Sequence, residues 1–276
     1  MKNVKFPKNV SPQKIREFFK TKGLSDLLLK SNKTKKKVNQ LIYKNILSPE
    51  LKDLYRLYQF VFLNKRITAL EFGSGWSSII LSLALNDLKK KYEKNVKTLR
   101  RNNPFELFVL ENEKKYLEIS KKKLKKFNSK NKIKTKINFD LSKVKMTRFN
   151  GYICTEYEKL PMCNPDFIYL DGPNPFNTDG KVNNISTKHK DMMPMICDIL
   201  KFEFFYTPGT IIVTDGRSAN AIFLKLNFKR KWLHKHDIKH DQHIFYLDDP
   251  CLGRYNKLQL DFYKNEKKSQ RKKKIN

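Results

Sequence analysis

The stretch ALEFGSGWSSII, residues 69–80, is the most informative segment of the chain. An apolar run ends there in Glu71, Gly73 and Gly75 follow with Ser74 between them, and an apolar run then resumes. Glycine-rich turns between a strand and a helix often hold a nucleotide, because a backbone without side chains can approach a ligand closely. The segment therefore predicts a strand, a ligand-binding loop and a helix.

Strand and helix patterns alternate after this loop. Strands are predicted, in chain order, at RITALEF, FELFVLE, KTKINFDL, PDFIYLD, GTIIVTD and QHIFYLDD. Such alternation predicts an α/β fold with a doubly wound, mostly parallel sheet and helices on both faces. Ligands of these sheets bind at the carboxyl ends of the strands. Four glycines follow predicted strand ends and gather at that edge: Gly73, Gly75, Gly172 and Gly216.

The composition excludes several classes of protein. No apolar run approaches the roughly 20 residues that cross a bilayer, and the N-terminus lacks the apolar core of a secretory signal. A cytoplasmic protein without a membrane span is therefore expected. The four cysteines form neither a CxxC pair nor a Cys/His cluster, so neither a zinc site nor a disulfide framework is predicted.

The net charge of +32 has two interpretations. Such a charge is typical of proteins that bind nucleic acid or another polyanion. The charge is mostly lysine spread along the whole chain, whereas arginine, which binds phosphate in a bidentate manner, is sparse. This distribution favours the amino-acid bias of an AT-rich genome, and a nucleic-acid partner stays open as the alternative.

The acid before the glycines indicates which nucleotide is bound. The third glycine of a dinucleotide fingerprint is replaced by Ser78, and the Glu71 carboxylate would repel a pyrophosphate. That carboxylate would attract a ligand with positive charge, such as the sulfonium and ammonium groups of S-adenosylmethionine. The acid-x-Gly-x-Gly pattern resembles the cofactor loop of class I S-adenosylmethionine-dependent methyltransferases.

Other landmarks between about residue 65 and residue 250 resemble that family in the same order. The resemblance implies a Rossmann-like sheet with an antiparallel late strand at QHIFYL, and S-adenosyl-L-methionine as the cofactor. An acid at the end of the second strand would hold the ribose hydroxyls. The sequence VLEN offers Glu111, and the long stretch before it leaves Asn112 and Glu113 open as alternatives. The implied cofactor-binding residues are Glu71, Gly73, Ser74, Gly75, Glu111, Asn112 and Asp171.

The resemblance also implies a catalytic group. Asp171 at the end of PDFIYLD is the candidate base or acceptor-positioning group, and Asp215 and Arg217 lie over the same edge. Asp171 and Asp215 resemble the metal pair of metal-dependent O-methyltransferases. Gly216 stands where that pattern has asparagine, so no metal is predicted. Arg217 could clamp an anionic acceptor, and His243 is a weaker candidate for the cleft.

The methyl acceptor is left open by the sequence. Asn174-Pro175-Phe176 lacks the second proline of the motif in base-methylating enzymes, which favours a small-molecule or glycan hydroxyl or amine. An RNA methyltransferase that uses the basic surface, and a non-catalytic nucleic-acid-binding protein on the same fold, are the alternatives. The oligomeric state is not indicated.

The chain divides into three predicted parts. Residues 1–64 form an N-terminal helical extension, residues 65–262 form the methyltransferase domain, and residues 263–276 form a basic tail that is expected to be disordered. Within the domain, the polar loop from Asn174 to Lys190 lacks apolar periodicity, so it is predicted to be a mobile cover over the site.

Overall fold

The computed structural model of the chain describes residues 1–31, 48–189 and 195–264. Nine strands lie in these ranges: β1 (Thr68–Phe72), β2 (Glu106–Glu111), β3 (Lys136–Leu141), β4 (Val144–Phe149), β5 (Tyr152–Tyr157), β6 (Phe167–Leu170), β7 (Ile211–Asp215), β8 (Trp232–Asp237) and β9 (Gln242–Leu247). The described α-helices span Pro12–Thr21, Ser25–Ser31, Leu51–Leu63, Trp76–Val96, Lys114–Lys130, Asp198–Lys201, Ser218–Asn227 and Arg254–Lys264. None of these helices is long and apolar enough to cross a membrane.

Seven strands form one sheet in the order β3-β2-β1-β6-β7-β9-β8. Strands β3, β2, β1, β6 and β7 pair in parallel, and β9 runs antiparallel to both of its neighbours. The predicted doubly wound, mostly parallel sheet with an antiparallel late strand is confirmed. The order reverses between β1 and β6, and a crevice for a ligand forms at such a switch point.

The two faces of the sheet are buried by different elements. Alternate residues of a strand point to opposite faces, so Ala69 belongs to one apolar cluster and Leu70 to the other. The first cluster includes Phe19 and Phe60 from the N-terminal helices and Ile80 from the helix after β1. The second is closed by apolar residues around Asp198–Lys201 and Ser218–Asn227.

A buried arginine joins the N-terminal helical region to the far end of the sheet. Arg56 is 3% exposed, and it donates from Nη2 to Asp237 Oδ2 at 2.7 Å and from Nε to Gln242 Oε1 at 2.9 Å. A buried charge is tolerated when it is paired and hydrogen-bonded. The helix Leu51–Leu63 is therefore fixed against the end of β8 and the start of β9.

Three elements differ from the sequence-based expectation. Strand β8 and the separate hairpin of β4 and β5 were not predicted. The pattern KDMMPMICDILKFEF, residues 190–204, predicts a helix, whereas the structure has only the helix Asp198–Lys201 and the 3-10 helix Glu203–Phe205 there. Residues 190–194 lie outside the described part. The helix does not begin earlier because residues 195–197 bridge to β5: Thr155 N donates to Met195 O at 3.0 Å, and Cys197 N donates to Thr155 O at 2.9 Å.

The end of the chain is described only as far as Lys264. Tyr263, the first residue of the predicted basic tail, is a buried residue of the helix Arg254–Lys264, and it donates to Asp166 at 2.6 Å. Residues 265–276 of the predicted tail lie outside the described residues.

Candidate active site

The loops after β1 and β6 touch through their backbones. Gly73 has a φ of +97°, a conformation that favours glycine, and its nitrogen donates to Leu110 O at 2.8 Å. A Cβ atom on Gly172 would lie 2.5 Å from the Gly73 nitrogen, which leaves no room for any side chain. Asp171 N also donates to Phe72 O at 3.0 Å. The two glycines thus bring the loop with Ser74 and the loop with Asp171 together.

Glu71 lies under the glycine loop with no exposed surface. Its carboxylate accepts hydrogen bonds from Ser77 Oγ and, at 2.6 Å, from Ser78 Oγ. Burial raises the pKa of Glu71 to about 8, although the two serine hydroxyls act in the opposite direction. Glu71 therefore holds the first turn of the helix Trp76–Val96 against the end of β1.

Glu111 at the end of β2 lies directly beside the glycine loop. Ser74 Oγ donates to Glu111 Oε2 at 2.7 Å, while Oε1 accepts the backbone N–H groups of Asn112 at 2.8 Å and Glu113 at 2.9 Å. Burial raises the pKa of Glu111, and these three hydrogen bonds oppose that effect. Among the three residues left open by the sequence, Glu111 is the one whose carboxylate bonds to the loop.

Asn112 and Glu113 bind the segment that follows β6 instead. Asn112 Nδ2 donates to the carbonyls of Asn177 at 3.0 Å and Asn174 at 3.3 Å, and Asn112 Oδ1 accepts from Asn174 N at 3.0 Å. Glu113 Oε1 accepts from Asn174 Nδ2 at 2.9 Å. The side chains after β2 therefore fix the first residues of the loop after β6.

The rest of that loop is anchored on β4. Asp179 N donates to Val144 O at 2.7 Å, Met146 N donates to Asp179 O at 2.8 Å, and the hydroxyls of Thr178 and Thr187 lie 2.9 Å apart. The prediction that little packing fixes the segment from Asn174 to Lys190 is wrong for residues 174–189. The partners belong to strands that the sequence did not reveal, and Lys190 lies outside the described residues.

Asp171 is exposed at the carboxyl end of β6. Desolvation by the surrounding protein raises the pKa of Asp171 to about 6; the charge of Arg217 opposes this shift, and that of Glu111 adds to it. A carboxylate with this pKa is ionised at neutral pH and can accept a proton. The exposed residue belongs to the loop that meets the glycine loop.

The guanidinium group of Arg217 is bonded to the loop after β6, so it is not wholly free to bind an acceptor. Its Nη2 donates to the carbonyls of Asp171 and, at 3.0 Å, of Pro173. Its buried Nη1 has no hydrogen-bond partner among the described residues. Because an unpaired buried donor is costly, Nη1 is a position at which an anionic or carbonyl oxygen of a ligand would be stabilised.

Asp215 lies near a second acid that the sequence did not indicate. Tyr169 Oη donates to Asp215 Oδ2 at 3.1 Å, and burial together with the charge of Asp171 raises the pKa of Asp215 to about 6. Asp53 on the helix Leu51–Leu63 has its pKa raised to about 7 by burial and by the charge of Asp215. In the described part of the chain, no group of three or more His, Cys, Asp or Glu side chains could hold a metal ion.

Three histidines are stacked beside this edge. The rings of His236 and His243 lie 3.9 Å apart, and His234 Nε2 is 2.9 Å from His243 Nδ1. His243 Nε2 is 3.0 Å from Ser218 Oγ. Burial and the two neighbouring imidazoles lower the pKa of His243 to about 4, so the ring is neutral. His243 faces its neighbours on β8 and Ser218, and the stack was missed because β8 was missed.

The strand order and the single antiparallel strand β9 give the chain a Rossmann-like α/β fold. A comparison with protein-family models and with curated proteins found no match. Among solved structures, the O-methyltransferase TomG from Streptomyces achromogenes in complex with SAM is 12% identical, with 88% of this chain and 92% of that chain covered and a TM-score of 0.39.

Two further solved structures are similar to the same degree. The O-methyltransferase from Bacillus cereus in complex with SAH is 14% identical, covers 88% of this chain and 92% of its own, and gives a TM-score of 0.38. A methyltransferase from Geobacter sulfurreducens is 6% identical, with coverage of 87% and 92% and a TM-score of 0.38. These likenesses are weak, and the strand order stands without them.

Proposed function

We propose that the protein is an S-adenosylmethionine-dependent methyltransferase. The observation that carries the proposal is the meeting of the glycine loop, Glu111 and Asp171 at the switch point between β1 and β6. Glu111 is an acid at the end of β2 beside the glycine loop, which suits the two ribose hydroxyls of such a cofactor. Glu71 is buried and keeps its proton at neutral pH, so it supports the loop from below rather than binding the ligand.

The backbone of the glycine loop is open to a ligand at Gly75. A Cβ atom on Gly75 would meet only Ser77 Oγ, at 3.8 Å, so the space above this residue is open. Glu111 would accept the ribose hydroxyls, since its Oε2 already accepts a hydroxyl from Ser74. Hydrogen bonds to a charged group contribute about 1.5–3 kcal/mol each.

The bound cofactor would supply an activated methyl group, and the residues of the chain would align the acceptor and remove its proton. Asp171 takes the part of the base because it is accessible and its pKa of about 6 leaves it ionised at neutral pH. Arg217 holds the Asp171 loop through two carbonyls and keeps Nη1 for the acceptor.

The acceptor is proposed to be a small molecule or glycan with a hydroxyl or an amine. An RNA acceptor is the second candidate, supported by the net charge of +32. A cytoplasmic location and the division at residues 64 and 262 remain predictions.

The proposal is tested by transfer of labelled methyl groups from S-adenosylmethionine to a cell extract separated into small-molecule, glycan and RNA fractions. Label in the small-molecule or glycan fraction, lost with Asp171→Asn and kept with Asp261→Asn, supports the proposal; Asp261 is an exposed residue of the last described helix. Label in RNA alone favours the second candidate. Absence of transfer to every fraction would contradict an enzymatic role.

A further inference from the structure

A cavity lies beside the first turn of the helix that follows the glycine loop. It has a volume of about 90 Å³ and is lined by the helix Ser25–Ser31, the start of the helix Trp76–Val96 and the helix Lys114–Lys130. Its apolar wall is formed by Leu24, Leu27, Ile79 and Phe127. Its rim carries four lysines and one acid, namely Lys30, Lys123, Lys126, Lys130 and Asp26.

Two of these lysines share one aromatic ring. Lys123 Nζ lies 3.7 Å from the centre of the Trp76 ring, and Lys30 Nζ lies 4.8 Å from it. An ammonium group is attracted to the face of an indole, but the ring does not neutralise its charge. Within residues 1–31, 48–189 and 195–264, neither lysine forms an ion pair with a carboxylate.

The two ammonium groups destabilise each other. Burial and the charge of Lys30 lower the pKa of Lys123 to about 8. An anion between the two groups would remove this repulsion and restore the ordinary pKa of Lys123. The cavity is thus a partly desolvated cationic site whose charge is not balanced by the described residues around it.

We propose that this cavity, the Lys30–Lys123–Trp76 pocket, binds a phosphate group. Four lysines against one acid give an excess of three positive charges, which suits a multiply charged anion better than a single carboxylate. Lysine binds phosphate as a point charge, whereas a carboxylate is commonly matched by the planar fork of arginine. The cavity of about 90 Å³ exceeds the roughly 10–15 Å³ that is needed to hold one water molecule, so it can admit a ligand larger than water.

The phosphate could belong to a small phosphorylated molecule or to the backbone of RNA, and two titrations distinguish these sources. Pyrophosphate is the small probe and a short oligoribonucleotide is the polymeric probe, both at low salt and followed by calorimetry. Lys123→Gln is compared with Lys122→Gln, an exposed neighbour on the same helix that does not line the pocket. Both changes remove one positive charge, so the difference between their effects on affinity reports the contribution of the pocket.

We expect pyrophosphate to bind the wild-type protein, with at least a tenfold loss in Lys123→Gln and less than a twofold loss in Lys122→Gln. Binding should also weaken as the pH rises through 8, more steeply in the wild type than in Lys123→Gln, because Lys123 loses its proton there. The titration of the ligand itself is common to all variants. Lys30→Gln repeats the test should Lys123→Gln unfold at a lower temperature.

The titration with the oligoribonucleotide identifies which kind of molecule supplies the phosphate group. Displacement of the oligoribonucleotide by pyrophosphate, together with a loss of its affinity in Lys123→Gln, would assign the pocket to an RNA backbone phosphate. Retention of its affinity in Lys123→Gln would assign the pocket to small phosphorylated molecules. Equal losses of pyrophosphate affinity in Lys123→Gln and Lys122→Gln, or no binding by the wild type, would overturn the proposal.

Discussion

The backbone of Gly172 lies against the backbone of Gly73: a Cβ atom on Gly172 would stand 2.5 Å from the Gly73 nitrogen and 2.6 Å from its Cα. Side-chain atoms do not approach backbone atoms so closely without displacing them. The contact joins the ends of β1 and β6, where the order of the sheet reverses. The loops that carry Ser74 and Asp171 are therefore held as one unit.

Gly172→Ala should lower the free energy of unfolding by roughly 1–3 kcal/mol, the usual cost of forcing an extra methyl group into a packed region. Urea denaturation measures this change. Gly75→Ala is the control, because its Cβ would meet only Ser77 Oγ at 3.8 Å and its φ of 176° is ordinary extended backbone. Equal stability of the two variants would show that the loops are not in contact.

Glu111→Gln should weaken the binding of S-adenosylmethionine by about 1.5–3 kcal/mol, through loss of charged hydrogen bonds to the ribose. Calorimetric titration gives the affinity. Glu113→Gln is the matched control, since the Glu113 carboxylate bonds to Asn174 Nδ2 rather than to the glycine loop. A loss confined to Glu113→Gln would move the ribose contact to that residue.

The stability of the protein should depend on the ionisation of Glu71. Its pKa is raised from 4.5 to about 8, so between these values the unfolded chain has lost the proton that the folded chain keeps. The contribution of Glu71 to the free energy of unfolding is then complete below pH 4.5 and decreases as the pH rises towards 8. Glu71→Gln should lack this decrease.

Urea denaturation from pH 5 to pH 8 compares the two proteins. Other raised carboxylates, including Asp171 and Asp215, contribute to both curves, so the difference between the curves isolates Glu71. The free energy of unfolding of Glu71→Gln, relative to that of the wild type, should increase with rising pH. Parallel curves would mean that the Glu71 carboxylate is already ionised in the folded protein.

Asp171→Asn should reduce turnover by about 10²–10⁴-fold, which is the usual contribution of a general base, with S-adenosylmethionine affinity nearly unchanged. The wild-type rate should rise through pH 6 as Asp171 ionises, since its pKa is about 6. Rates with and without EDTA test the alternative role. If EDTA abolishes the wild-type activity and Mg²⁺ restores it, Asp171 acts as a metal ligand rather than as a base.

The central sheet could be predicted because its signals are local. An apolar strand, an acid and a glycine follow one another at the ends of β1 and β6, and their order along the chain indicates the switch point. Strand β8 was missed because WLHKHD is a polar edge strand without apolar alternation. The pairing of His234 with His243 was missed for the same reason, because His234 lies on β8.

Contacts between distant residues could not be predicted from spacing. The bond from Ser74 to Glu111, the ties from Asn112 to Asn174 and the approach of Asp53 to Asp215 depend on which strands are neighbours in space. The lysines of Lys114–Lys130 follow the pattern of a solvated helix face. Only the packing against Trp76 distinguishes Lys123 from them.

The most direct test of the whole account is a calorimetric titration of the protein with S-adenosylmethionine, and separately with NAD, for the wild type and for Gly75→Val. We expect S-adenosylmethionine to bind the wild type and NAD not to bind it. Gly75→Val should stay folded but lose the cofactor, because its side chain fills the open space beside the loop. Binding of NAD without binding of S-adenosylmethionine would contradict the proposed function.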